Sequence, residues 1–315
     1  MLQKNGYQNK NFTTNNTFIG HLAAIFCILV WGTTFISTKV LLRTFAPIEI
    51  LFIRFIIAYF ILWLFYPHTL HIEKKTHELY FAAAGLCGVT LYFLFENIAL
   101  TYTFASNVGV IVAVSPFFTA IISWLVLHNE RPNARFFVGF IIAMVGIFLI
   151  SFSNGATMSI NPLGDILAIL AAFIWAVYSA ITRKIGTFGY PTIPTTRRIF
   201  FYGLFLMIPA LILMDFSVNL SQFSNITDLL NLCFLGICAS ALCFACWNFT
   251  VNILGTIKTS VYIYLVPVIT TIASALILHE TFTVSSICGI VLTMMGLFLS
   301  ESKNFSIKAG INQPE

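Results

Sequence analysis

Trp31, Thr34 and Thr38 follow one another at intervals of three and four residues, and Trp175, Tyr178 and Thr182 repeat that spacing 144 positions later. On a helix such steps return to one face. Each set therefore forms a stripe of rings and hydroxyls that could hold a small solute, or could serve as packing and interfacial anchoring. Gly85, Gly88, Tyr92 and Glu96 make a further stripe, answered by Gly236, Ala239, Cys243 and Trp247. Small residues at one end of it let helices approach, and the large groups at the other end can face a cavity. Asn97 and Asn248 lie one step off these stripes and either bond across helices or touch a ligand.

Arg54 sits about two turns into an apolar run, where a charge is expensive enough to suggest ligand or gate involvement; the alternative is snorkelling to the interface. Glu96 is the one carboxylate clearly inside an apolar run rather than near its end. Burial disfavours a bare carboxylate, and a nearby Arg or Lys favours it, so Glu96 either exchanges protons, engages a cationic part of a ligand, or pairs with Arg54. Pro116 and Pro267 fall near the middle of their runs and withhold a hydrogen bond from the carbonyls of Val112 and Ile263. This predicts kinks that are either architectural or gating. Gly139 and Gly146, with Gly289 and Gly296, recur at seven-residue spacing and favour close packing within the bundle over a homodimer interface.

Other residues carry less. Cys243 and Cys246 have a metal-like spacing but no second ligand pair, and seven cysteines, all in apolar runs, do not make a disulfide framework. His68, His71 and His77 share a loop with Lys74 and Lys75, which reads as a solvated basic loop rather than a metal site. No nucleotide-binding loop, HExxH or GxSxG is present. No metal or cofactor is expected.

These residues must be positioned by membrane helices. Of the 315 residues 59% are hydrophobic and 9% charged, against about 25% charged in a soluble domain, and mean hydropathy is +0.93. A soluble globule, a nucleic-acid binder and a disordered scaffold are excluded. Apolar runs predict ten spans: 21–42, 46–66, 79–101, 106–127, 134–152, 163–183, 194–214, 228–251, 259–279 and 284–301. An even number puts both termini on one side. Lys4, Lys10, Lys74, Lys75, Arg131, Arg135, Arg183, Lys184, Lys258, Lys303 and Lys308 share that side, against Lys39 and Arg43 on the other. Both termini are therefore expected in the cytoplasm. The polar first 20 residues do not resemble a cleaved signal peptide.

The chain also repeats itself. At an offset of 144, Trp31, Thr38, Pro47 and Arg54 fall on Trp175, Thr182, Pro191 and Arg198; at 151, Gly85, Asn97 and Pro116 fall on Gly236, Asn248 and Pro267; at 150, Glu130, Gly139 and Gly146 fall on Glu280, Gly289 and Gly296. This reads as an all-α integral membrane protein of ten transmembrane helices in two five-helix repeats, 21–152 and 163–301, between cytoplasmic tails 1–20 and 302–315. Five is odd, so the copies are inverted, a pattern of transporters with a midplane site at the repeat interface.

Trp31-Gly32-Thr33-Thr34-Phe35, Ala105-Ser106-Asn107 leading to Pro116, and Leu127-His128-Asn129-Glu130 followed by Gly139 resemble the first half of the drug/metabolite transporter superfamily, EamA type. Trp247-Asn248, Leu254-Gly255, Tyr264-Leu265-Val266-Pro267 and Leu278-His279-Glu280 resemble its second half. The resemblance covers about residues 17 to 302 and implies a small multi-pass transporter that moves amino acids or other small metabolites, often outward. One departure is internal: Glu96 stands where the second half has Trp247. The expected function is a secondary exporter of a small organic metabolite across the cytoplasmic membrane, among membrane lipids, with proton coupling through Glu96. The rival reading, an intramembrane enzyme acting on a lipid or polyprenyl carrier, lacks clustered acid, base or metal groups.

Overall fold

A computed structural model describes residues 14–103, 105–127, 132–153, 161–214, 216–217, 220–278 and 283–301. His128, Asn129, Glu130, His279, Glu280, the Asn154-Gly155 turn, residues 1–13 and residues 302–315 lie outside them, while residues 14–20 of the expected N-terminal tail already belong to the first helix. Ten helical units match the ten apolar runs. They are α1 (Thr14–Leu41), α2 (Pro47–Phe65), α3 (Lys75–Tyr102), α4 (Ala105–Val112 continued by Ser115–Leu127) and α5 (Ala134–Ser153) in the first half. The second half has α6 (Pro162–Gly186), α7 (Thr192–Leu213), α8 (Ile226–Leu254), α9 (Thr256–Ser260, Val261–Tyr264 and Leu265–Leu278) and α10 (Val284–Glu301). Nine helices among the described residues are long and apolar enough to cross a bilayer, and Ala134–Ile150 in α5 is a shorter apolar one. No strand occurs among the described residues, as backbone groups in hydrocarbon must be satisfied within a helix or a closed barrel.

The helix starts obey local chemistry. Pro47 and Pro162 occupy first-turn positions, where a missing N–H costs nothing. Glu49 turns back to accept from the backbone N–H of Ala46 at 2.9 Å, so this buried carboxylate serves as a cap. Gly255, with φ of 87°, is the single residue between α8 and α9. A loop over 251–259 is thus replaced by one left-handed residue that a side chain would strain.

Two departures from regular helix matter for the site. α3 and α8 each contain a π-helical stretch, Leu86–Leu91 and Phe234–Leu242, at repeat-related positions just before Tyr92 and Cys243. In α4 the chain breaks at Ala113 and Val114 before Ser115, and in α9 a 3₁₀ turn over Val261–Tyr264 precedes Leu265. Pro116 is therefore buried in the first turn of a new helical segment, and Pro267 is buried just after the 3₁₀ turn within α9, where the helix changes type without a break. The reason is that a first-turn proline loses no hydrogen bond whereas an interior one does.

The two halves interlock. α1 packs on α8 and α9, and α6 packs on α3 and α4, the same exchange made twice. α5 and α10 meet through their glycines: a Cβ on Gly139 would lie 2.6 Å from the Gly296 carbonyl oxygen, and one on Gly146 would lie 2.6 Å from that of Gly289. These glycine faces are filled within one chain.

A second duplicated device ties helix ends together. Lys39 Nζ donates to the carbonyl of Leu100 at 2.7 Å, and Arg183 Nη1 donates to those of Val251 at 3.1 Å and Asn252 at 2.6 Å. A basic residue at the end of the first helix of each half caps the third helix, whose last carbonyls lack intrahelical partners. Lys39→Met and Arg183→Met are each expected to lower stability by about 1–3 kcal/mol, read as reduced thermal stability of purified protein, and the double variant by about the sum. An unchanged midpoint in both single variants would remove the capping role.

Candidate functional site

Between the halves lies a cavity of about 550 Å³, counted out to its open mouth. One part of its wall is duplicated. Trp31 of α1 and Trp175 of α6 meet edge to face with centroids 5.4 Å apart, and the broken helices bring in Val112 and Ser115 from α4 with Ile263 and Val266 from α9. Those last four are repeat partners, 151 residues apart. The other part comes from the first half alone: Thr34, Arg54, Tyr92, Phe93 and Glu96. In α8, Cys243 and Trp247 stand where α3 has Tyr92 and Glu96, and Phe244 and Trp247 pack behind the indoles, Trp247 at 4.9 Å from Trp31 and 6.0 Å from Trp175. A symmetric frame thus carries an asymmetric set of polar groups.

The Trp31 ring is fixed because its Nε1 donates to the Ala239 carbonyl in the π-helical stretch of α8 at 3.0 Å. It offers the cavity a ring face rather than a donor. Trp175 Nε1 and Ser115 Oγ, by contrast, are buried at the cavity wall without a partner. Buried polar groups are nearly always hydrogen-bonded, so these two fit a polar ligand.

The charges are arranged for the same end. Arg54 is 1% exposed and does not snorkel. Its Nε donates to Ser240 Oγ at 3.0 Å, and its guanidinium lies 4.3 Å from the Phe93 ring centroid. Glu96, on α3, is beside the Tyr92 phenol and feels the Arg54 charge. Among the described residues the ion pairs within 4.0 Å are His21–Glu301 and Arg198–Glu78, so Arg54 and Glu96 share the cavity without touching. One cation and one anion held apart in an aromatic chamber suit a solute that carries both charges.

Of the residues singled out by sequence, the cavity brings together Trp31, Thr34, Arg54, Tyr92, Glu96 and Trp175. It does not include Thr38, Asn97, Tyr178, Trp247, Asn248, Pro116 or Pro267. Asn97 Nδ2 donates to the Pro47 carbonyl at 3.3 Å, joining α3 to the start of α2. Tyr178 is buried against Gly88, where a Cβ would come within 2.2 Å of its ring. Its hydroxyl donates to Asn248 Oδ1 at 2.8 Å, while Asn248 Nδ2 donates to Thr196 Oγ1 at 3.0 Å. This chain joins α6, α8 and α7 beside a smaller cavity lined by Thr182, Thr195 and Asn252. Sequence reasoning passed over Phe35, Phe93, Gly109 and Ser115; the available signal was the pair of prolines, which mark where helices break.

Comparison with known proteins identifies the family. A family model described as the EamA-like transporter family matches the chain twice, over residues 18–152 and 162–301. The chain belongs to the EamA-like transporter family. Similar proteins include an uncharacterized transporter of Archaeoglobus fulgidus, 29% identical over 90% of this chain and 97% of its own length. Another is the uncharacterized transporter YvbV of Bacillus subtilis, 27% identical over 93% and 95%. A probable amino-acid metabolite efflux pump of Escherichia coli is 23% identical over 88% and 93%. A solved crystal structure, 20% identical, matches with a TM-score of 0.71 over 89% of this chain and 95% of the other, which shows the shared fold. This EamA-like protein is a multi-pass membrane transporter and not an enzyme.

Proposed function

We propose that this EamA-like transporter exports a small zwitterionic metabolite of the amino-acid class by alternating access. The supporting observation is the separated Arg54–Glu96 pair in a cavity walled by Trp31 and Trp175. Arg54 would take the carboxylate through the guanidinium nitrogens not bound to Ser240, and Glu96 with Tyr92 would take the ammonium group. The indoles would hold the side chain, as cations and apolar groups both suit a ring face. Trp175 Nε1 and Ser115 Oγ would add donors. Likeness to a protein named as a probable amino-acid metabolite efflux pump supports the substrate class.

In this proposal residues 21–152 and 163–301 are the two repeats, 1–20 and 302–315 are cytoplasmic tails, and the protein resides in the cytoplasmic membrane. Rocking of one repeat against the other would expose the cavity alternately, with the Tyr178–Asn248–Thr196 chain closing one side. A proton on Glu96 would compete with the ammonium group, so that a proton gradient drives export. The test is counterflow of labelled amino acids into proteoliposomes preloaded with the unlabelled solute. Accumulation of at least one zwitterionic amino acid is expected. Flux of solutes without charged groups, or of purely anionic solutes, alone would contradict the substrate class.

A further inference from the structure

A second cavity of about 560 Å³, counted out to its mouth, lies where the end of α2 meets the first turns of α7, lined in part by Tyr59, Trp63, Thr69, Arg197, Arg198 and Phe201. Its two guanidinium groups are held differently. Arg198 is neutralised by a two-point contact with Glu78, which also accepts from the Tyr202 hydroxyl at 2.8 Å. Arg197, only 8% exposed, donates from Nη1 to the Tyr66 carbonyl and from Nη2 to the His68 carbonyl at 2.6 Å. Those carbonyls lie beyond the last turn of α2 and supply partial charge only. No carboxylate among the described residues pairs with Arg197, so the cavity keeps one full positive charge, and buried charges ordinarily have a counterion.

The surroundings identify the counterion. Trp63 and Phe201 on the cavity wall are 49% and 44% exposed, and Phe60 and Phe205, one turn along the same helices, are 57% and 60% exposed. On helices that cross a bilayer, these rings face acyl chains, and a tryptophan at a helix end marks the headgroup level. A basic recess between helices at that level has the chemistry of a lipid headgroup site. We infer that this cavity binds the phosphate diester of an anionic phospholipid. Arg197 meets the phosphate with the N–H groups it does not spend on carbonyls, Thr69 adds a hydroxyl, and Trp63 and Phe201 flank the start of the acyl chains. Free phosphate shares the anion chemistry but would leave the aromatic flank unused. The site is separate from the cavity between the halves, so it does not depend on the substrate proposed there.

The experiment titrates the purified full chain in neutral detergent with phosphatidylglycerol, phosphatidylcholine of the same chain length, and inorganic phosphate. Binding is read by native mass spectrometry and by thermal stability. Phosphatidylglycerol is expected to bind about tenfold or more tightly than phosphatidylcholine and to raise the unfolding midpoint. Thr69→Glu, at an exposed position with no hydrogen bond to lose, puts a carboxylate into the same cavity and should weaken phosphatidylglycerol about tenfold, the size of one charge-assisted hydrogen bond. Arg197→Gln should do the same, and Thr69→Glu keeps the test intact if the Arg197 variant does not fold. Equal binding of the two lipids, or unchanged phosphatidylglycerol binding in both variants, overturns the site. Displacement of phosphatidylglycerol by an equal concentration of inorganic phosphate overturns the lipid assignment.

Discussion

Arg54→Gln is expected to lower solute flux through the reconstituted protein by about 10- to 100-fold, the loss of one or two hydrogen bonds to a charged group, while thermal stability stays level or rises. The sign of the stability effect is the informative part. A buried charge without a contacting counterion costs stability, and Arg54 makes one hydrogen bond, to Ser240, that Gln can approximate. A residue kept for packing would behave the other way, since its loss would lower stability and flux together. Glu96→Gln should cut flux comparably and also flatten the response to an imposed pH gradient, because the amide cannot exchange a proton. Equal flux and an equal pH response in Glu96→Gln would exclude that residue from coupling. Conversely, Arg54→Gln that transports normally would reduce the pair to a structural feature.

Gly146→Val is expected to prevent accumulation of folded protein. A Cβ there would lie 2.5 Å from Thr293 Oγ1 and 2.6 Å from both the Gly289 carbonyl oxygen and the Thr293 amide nitrogen, and backbone cannot turn aside as a side chain can. Overpacking typically costs about 1–3 kcal/mol, and two further methyl groups against a facing helix add to it. Gly146→Ala should be milder but measurable as a lowered midpoint in detergent. Because Gly289 makes the reciprocal contact with the Gly146 carbonyl oxygen, the Gly146→Ala/Gly289→Ala double variant should depart from additivity. A Gly146→Val protein that elutes and melts like wild type would show that α5 and α10 do not meet as described.

Much of this architecture is legible in the chain because burial and duplication leave marks on residue type. The ten apolar runs match the helical units, and the offset that pairs Trp31 with Trp175 matches two indoles in contact across the halves. The seven-residue glycine spacing pointed to close packing within the bundle, and the partners are α5 and α10. Register was concealed. A π-helical stretch adds residues to a turn without changing composition, and the stretches in α3 and α8 rotate the residues C-terminal to them. Counting in threes and fours put Tyr92, Glu96 and Trp247 on equivalent stripes; Tyr92 and Glu96 line the cavity, whereas Trp247 packs behind the indoles. The prolines announced an irregularity, yet whether a proline bends a helix or begins a new segment depends on which amide loses its partner, and that is a tertiary outcome. Charge was similarly opaque. Lys39, Glu49, Arg54 and Glu96 all belong to the same halves of their spans, but Lys39 and Glu49 serve helix ends and only Arg54 and Glu96 reach the cavity.

Transport through the cavity between the halves requires that the solute occupy it. Gly109 lines that cavity, and a Cβ there would meet nothing closer than the Phe35 ring at 3.9 Å, so Gly109→Cys can be made without a collision. In a background with the seven native cysteines replaced, the rate at which a small charged thiol reagent labels this cysteine reports access to the cavity. The amino acid with the strongest counterflow is expected to slow labelling several-fold in a saturable way, and the slowing should disappear when Arg54→Gln is added. Labelling at the same rate with and without saturating solute, in protein that still transports, would contradict occupancy of the cavity by the transported solute.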